Sequence, residues 1–194
     1  MSTGLPGFNV SEKYKYLWYG PERTGSRGVA RILCFYGFKF KDINQNSFNK
    51  NIDDTYFRNY THLYYQDRKY SEYKVICNTR NPYSRALSLY KNFANKGTFK
   101  DYIHNIKNDE TGIINIIKNP QLQKQPDYVI RLEHFGEDIK KLPFIYDVLT
   151  EKQLDDMTIS GKEIDEWESF YDSDMKEIVY NLCEHQFDIF GYEK

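Results

Sequence analysis

Two stretches of this chain combine arginine, hydroxyl and glycine residues at spacings that can hold an anion. They are Tyr19-Gly20-Pro21-Glu22-Arg23-Thr24-Gly25-Ser26-Arg27-Gly28 and Thr79-Arg80-Asn81-Pro82-Tyr83-Ser84-Arg85-Ala86-Leu87-Ser88. Each follows a short aromatic or aliphatic run of strand character and leads into a stretch with helical spacing. A strand feeding a Gly-rich turn that opens a helix aims several backbone N–H groups at one point, where an anion can sit. Two such turns on one sheet suit the two ends of a nucleotide phosphorylated at both ends. Lys outnumbers Arg nineteen to eight, yet five of the eight arginines (Arg23, Arg27, Arg31, Arg80, Arg85) lie in or just after these segments. The rigid guanidinium fork matches phosphate and sulfate oxygens, so this placement points to anion binding.

The first segment is close to a P-loop and departs from it at the residues that matter for triphosphate hydrolysis. Gly20 and Gly25 have the G-x-x-x-x-G spacing, but Ser26 and Arg27 follow where an NTPase needs Lys and then Ser or Thr. No strand ends in a convincing magnesium-binding Asp. A kinase-like P-loop phosphotransferase, which needs magnesium, is therefore the alternative reading, and a nucleotide-binding protein without turnover is a third.

These residues also carry a family resemblance. Arg23-Thr24-Gly25-Ser26 resembles the 5′-phosphosulfate loop of sulfotransferases, and Arg80 through Ser88 resembles their 3′-phosphate motif, an Arg followed by a Ser eight residues later. The intervening Asn-Pro-Tyr-Ser-Arg-Ala-Leu is similar to the membrane-bound and carbohydrate-directed branch. Two further stretches agree in order: Asp127 to Glu133 with Asp138, and Phe187 to Tyr192. The resemblance implies a donor, 3′-phosphoadenosine 5′-phosphosulfate (PAPS, with PAP as product), and an acceptor hydroxyl, here on a carbohydrate. It implies cofactor contacts from Arg23, Thr24, Gly25, Ser26, Arg27, Gly28, Arg80 and Ser88, with Arg23 also neutralising charge on the departing phosphate. Arg23 takes the place of the usual Lys, Glu22 stands where the family often has Pro, and Arg27-Gly28 replaces a hydroxyl-rich pair. The resemblance also implies a general base between the two motifs. His62, in Tyr60-Thr61-His62-Leu63, is the choice and Glu22 the runner-up; an imidazole with a pKa of about 6.5 accepts a proton at physiological pH. No metal is implied.

Composition narrows the classes. The chain has 194 residues, enough for one domain with a genuine core, and 17% of them are aromatic. With 27 basic against 28 acidic residues the net charge is −1, so broad nucleic-acid or membrane-surface binding is not expected. Any anion site must be local. Cys34, Cys77 and Cys183 are widely spaced, without a CxxC pair or a metal-ligand pattern, and read as reduced packed thiols. No apolar run approaches about 18 residues and the N-terminus lacks a signal-like segment, so the expectation is a soluble, cytoplasmic protein.

The elements that must position these residues form one α/β series. Strands are expected at 14–19, 73–79 and 128–132. Helices are expected from Gly25 to Tyr36, with Val29, Ile32 and Leu33 at helical spacing, and from Pro82, a residue tolerated at a helix start. Further helical pieces are expected near 98–107, 110–118 and 133–142, and a final helix from Asp172 to His185. Residues 42–55 read as a loop, 55–70 as helix or strand, and 150–170 as polar surface. Arg85 either pairs with an acid or faces the cofactor. Glu133 either orients Arg131 or faces substrate, and Phe190-Gly191-Tyr192 reads as a packing lock. The expected fold is a single α/β domain over residues 1–194: a P-loop-like, largely parallel sheet flanked by helices, of sulfotransferase type, with ligands beyond the strands' C-terminal ends.

Overall fold

The structure is a computed structural model that describes residues 8–21, 23–35, 72–93, 97–106, 126–145 and 166–194. His62, Glu22 and the expected elements at 42–70 and 110–118 lie outside the described residues. The chain is a small α/β fold. Strands β1 (Phe8–Ser11), β2 (Tyr16–Tyr19), β3 (Lys74–Thr79) and β4 (Tyr128–Arg131) form one sheet in that order. β2, β3 and β4 run parallel, with Tyr19 beside Cys77 and Thr79 beside Arg131. β1 is antiparallel to β2 and pairs Phe8 with Tyr19. It is a strand the sequence patterning does not announce. The expected first strand is shorter than its aromatic run, because Lys15 takes a left-handed turn conformation at φ 61° and Tyr14 falls in that turn.

Strand alternation divides the core between the two sheet faces. Tyr16, Trp18, Ile76 and Ile130 point one way, against Val29, Ile32 and Leu33 of α1 (Ser26–Phe35) and against Phe135 and Ile139 of α4 (Phe135–Ile139). Leu17, Tyr19, Val75 and Cys77 point the other way, onto Phe190. A separate apolar cluster joins α2 (Pro82–Phe93), α3 (Phe99–Ile106) and α5 (Ser173–Phe190) through Tyr83, Leu87, Ile103, Val179, Cys183 and Phe187. Helices thus cover both faces of the parallel strands, which is why those strands are apolar on both sides.

The helix ends follow local chemistry. Asn81 Oδ1 accepts from the backbone N–H of Tyr83 and, at 3.3 Å, of Ser84, so Pro82 opens α2 where its missing N–H costs nothing. The Asp172 carboxylate accepts from Met175 N–H at 2.9 Å and caps α5. α5 runs past His185 to Phe190, five residues beyond the expected end. Gly191, at φ 70°, supplies the left-handed stop, and its N–H and that of Tyr192 both bond the Phe187 carbonyl. The expected helix over 133–142 is two pieces: a 3-10 turn at Leu132–His134 and then α4. Among the described residues no helix is long and apolar enough to cross a membrane.

Candidate functional site

Adjacent parallel strands bring the two arginine loops side by side. β2 ends at Tyr19 and its loop enters α1; β3 ends at Thr79 and its loop enters α2. Both loops therefore leave the same edge of the sheet, where α/β folds bind ligands.

The first loop is clipped to β3 by a buried polar relay. Trp18 Nε1 donates to Asn78 Oδ1 at 2.5 Å, and Asn78 Nδ2 donates to Thr24 Oγ1 at 2.9 Å and to the Thr24 carbonyl at 3.2 Å. The Thr24 hydroxyl donates to the Pro21 carbonyl at 2.6 Å. Asn78 and Thr24 are buried, so each bond replaces one that water would otherwise supply. Thr24, expected at the cofactor, thus spends its hydroxyl on the loop's own shape. Gly25 makes the turn at φ 77°, and a Cβ there would stand 2.5 Å from Leu132 Cδ1. Gly28 N–H bonds the Gly25 carbonyl at 3.0 Å; Ser26, Arg27 and Gly28 form the first turn of α1, and the Arg27 side chain lies outside what is described.

Arg23 is the conformational outlier of the loop. Its φ is 62°, left-handed backbone that a non-glycine residue adopts at a cost of about 1–2 kcal/mol. The side chain reaches across to the second loop's helix, where Nε donates to Ser88 Oγ at 3.0 Å. Two residues assigned from separate motifs, 65 positions apart, are therefore in direct contact.

Arg80 lies beside them. Its Nε donates to Ser84 Oγ at 2.8 Å, and the residue is 9% exposed. Burial pushes its pKa down to about 10; the Glu133 carboxylate opposes that, and the neighbouring cations Arg23 and Arg85 add to it. The guanidinium stays protonated at neutral pH, desolvated and beside two further cations that Glu133 only partly offsets. Such a site gains from an anion. A small cavity of about 40 Å³ is lined by Arg23, Arg80, Ser84, Leu87, Ser88, Lys91, Asn92 and Trp167, with no carboxylate among them. It has room for one phosphate-sized group and not for a whole nucleotide, which needs several hundred Å³. The donor set of guanidinium, ammonium and hydroxyl groups fits a phosphate ester.

Two carboxylates shape the surroundings without entering the cavity. Glu133 Oε1 accepts from the Asn81 N–H at 2.8 Å and Oε2 from the Tyr192 hydroxyl at 3.2 Å, so it fixes the backbone just after Arg80. Asp138, not Glu133, orients Arg131. It accepts from Arg131 Nε at 2.9 Å, Nη2 at 3.0 Å and backbone N–H at 3.0 Å, and from Lys141 Nζ at 2.6 Å. Burial pushes the Asp138 carboxyl up, but the bonds from Arg131 and Lys141 outweigh it and hold the pKa down to about 2. Arg85 is buried in α2, with its charge acting on Arg80, Tyr19 and Cys77.

Of the residues expected at the site, Arg23, Arg80 and Ser88 come together, Gly25, Ser26, Arg27 and Gly28 form the adjoining turn, and His62 lies outside the described residues. Ser84, Lys91, Asn92 and Trp167 join them from outside the expected set. The first three follow Ser88's own helical spacing at 84, 88, 91 and 92, a signal present in the sequence. Trp167 arrives from a distant turn and has no local signal.

No protein-family model matches the chain, and no curated protein or solved structure matches it significantly.

Proposed function

We propose that this chain is a PAPS-dependent sulfotransferase that moves the sulfuryl group to an acceptor hydroxyl on a carbohydrate. The observation that supports it most is the convergence of the two motifs: Arg23 Nε bonds Ser88, and Arg80 lines the same cavity, which has no carboxylate among the described residues that line it. The carbohydrate acceptor rests on the style of the Asn81–Leu87 stretch. PAPS, when bound, supplies an activated sulfuryl group with a phosphate as its leaving side. Arg80, Ser84 and Ser88 would grip the terminal phosphate. Arg23, presented by a clipped loop, would turn from Ser88 to neutralise charge building on the departing oxygen, an interaction worth most in the transition state. The N-terminal turn of α1 adds backbone donors and a partial positive charge. His62 would take the acceptor hydroxyl's proton, with Glu22 as the alternative base.

The strand–loop–helix turn from Gly20 to Gly25 also suits a P-loop phosphotransferase, so the decisive measurement compares ligands. Calorimetry should give far tighter binding of PAP than of 5′-AMP, and ATP with magnesium should not replace PAP. A charge-assisted contact is worth about 1.5–3 kcal/mol, so Arg80→Ala should weaken PAP by roughly ten- to a hundredfold. Equal affinity for PAP and 5′-AMP removes this reading. Transfer of labelled sulfate from PAPS to a panel of glycans then tests the acceptor.

A further inference from the structure

Lys91 belongs to the cavity although neither motif includes it. It follows Ser84 and Ser88 along α2 at spacings that keep all three on one face, and it lines the cavity with Arg23 and Arg80. An aromatic turn at Trp167–Phe170 stands beside its charge. The Lys91 ammonium sits 5.1 Å from the centroid of the Phe170 ring, and Phe170 is 45% exposed. Trp167 lines the cavity too, its ring stacked on Tyr83 at 4.9 Å. An exposed ring that engages a cation at the rim of a cationic cavity keeps that cation near the opening.

The donors match a particular group. Among the described residues, three cations and no carboxylate line the cavity. Ser88 Oγ accepts from Arg23, which leaves its own proton to donate inward. A phosphate monoester carries about −1.5 to −2 charge at neutral pH and three terminal acceptor oxygens, whereas a diester carries −1 and two. We propose that Lys91 is a third cationic binding group of this site, held at its rim by Phe170, and that the group it completes the site for is a terminal phosphate monoester. This rests on the reading of the cavity as a phosphate site, but not on the donor being PAPS.

Calorimetry on the full chain separates the two. The probes are PAP, inorganic pyrophosphate and adenosine 3′,5′-cyclic monophosphate, a diester without a terminal phosphate. Lys91→Met should weaken PAP and pyrophosphate about five- to tenfold and leave the weaker cyclic nucleotide within about twofold. Lys91→Arg should restore most of the loss, which a packing role for the side chain would not give. Phe170→Leu should weaken PAP about two- to threefold; unchanged affinity there removes the ring's part. PAP and pyrophosphate affinities unchanged in Lys91→Met, or a wild-type protein that binds neither, overturn the proposal. If pyrophosphate binds and depends on Lys91 while PAP is no better than 5′-AMP, the phosphate site stands and the sulfotransferase reading falls.

Discussion

Replacing Gly25 with alanine tests the geometry of the first loop directly. The residue sits at φ 77°, and an added Cβ would meet Leu132 Cδ1 at 2.5 Å. Left-handed backbone costs a residue with a Cβ about 1–2 kcal/mol. Overpacking against a side chain adds about 1–3 kcal/mol, toward the low end here because Leu132 is half-buried and can turn. Alanine restricts the unfolded chain more than glycine and returns about 0.4–1 kcal/mol. The net expectation is a loss of about 1–3 kcal/mol, read as a lowered midpoint in urea with an unchanged slope. Adding Leu132→Ala separates the two causes. The double variant should recover about 1 kcal/mol relative to additivity, because the clash disappears while the backbone strain stays. PAP affinity should fall with Gly25→Ala, since the loop that carries Arg23 must shift. A Gly25→Ala protein within about 0.5 kcal/mol of wild type would refute the left-handed turn and the packing of Leu132 beneath it.

Two further outcomes follow from the same site. Arg23→Met should lower kcat by more than it raises the PAPS KM, because the cation acts on charge that develops in the transition state; a purely KM effect reassigns Arg23 to anchoring. Asp138→Asn should cost about 2–3 kcal/mol of unfolding free energy at pH 7, from a folded carboxyl held down to about 2 against about 3.9 when unfolded. A depressed carboxylate stabilises the fold above its unfolded pKa and loses that contribution as pH falls. The gap between variant and wild type should therefore close between about pH 4 and pH 2, and a constant gap would contradict the assignment.

What the sequence discloses depends on how local the cause is. The cores of β2, β3 and β4, the Pro82 helix start and the two arginine loops are legible because each is written in a few consecutive residues. The start of α5 is legible for the same reason, with Asp172 as cap. Its end lies five residues past His185, at Phe190. Gln186 is in fact buried, and Gly191 is the true stop signal. β1 escaped because Phe8–Ser11 is only four residues long and owes its strand form to pairing with β2. The site was half legible. Arg23, Arg80 and Ser88 could be named, but not that Arg23 would rest on Ser88, since that contact needs the sheet order. Nor does local sequence show that Thr24 accepts from Asn78, 54 residues away. Trp167 and the Glu133–Tyr192 bond are likewise products of folding at long range.

The left-handed Arg23 carries a consequence for how this protein would respond to selection. Glycine at position 23 would adopt φ 62° without strain, so a screen rewarding thermal stability alone would draw the sequence toward it. The variant so enriched would shed the backbone strain, give part of that gain back through a freer unfolded chain, and lack the cation that reaches Ser88. At this position backbone ease and side-chain reach call for different residues.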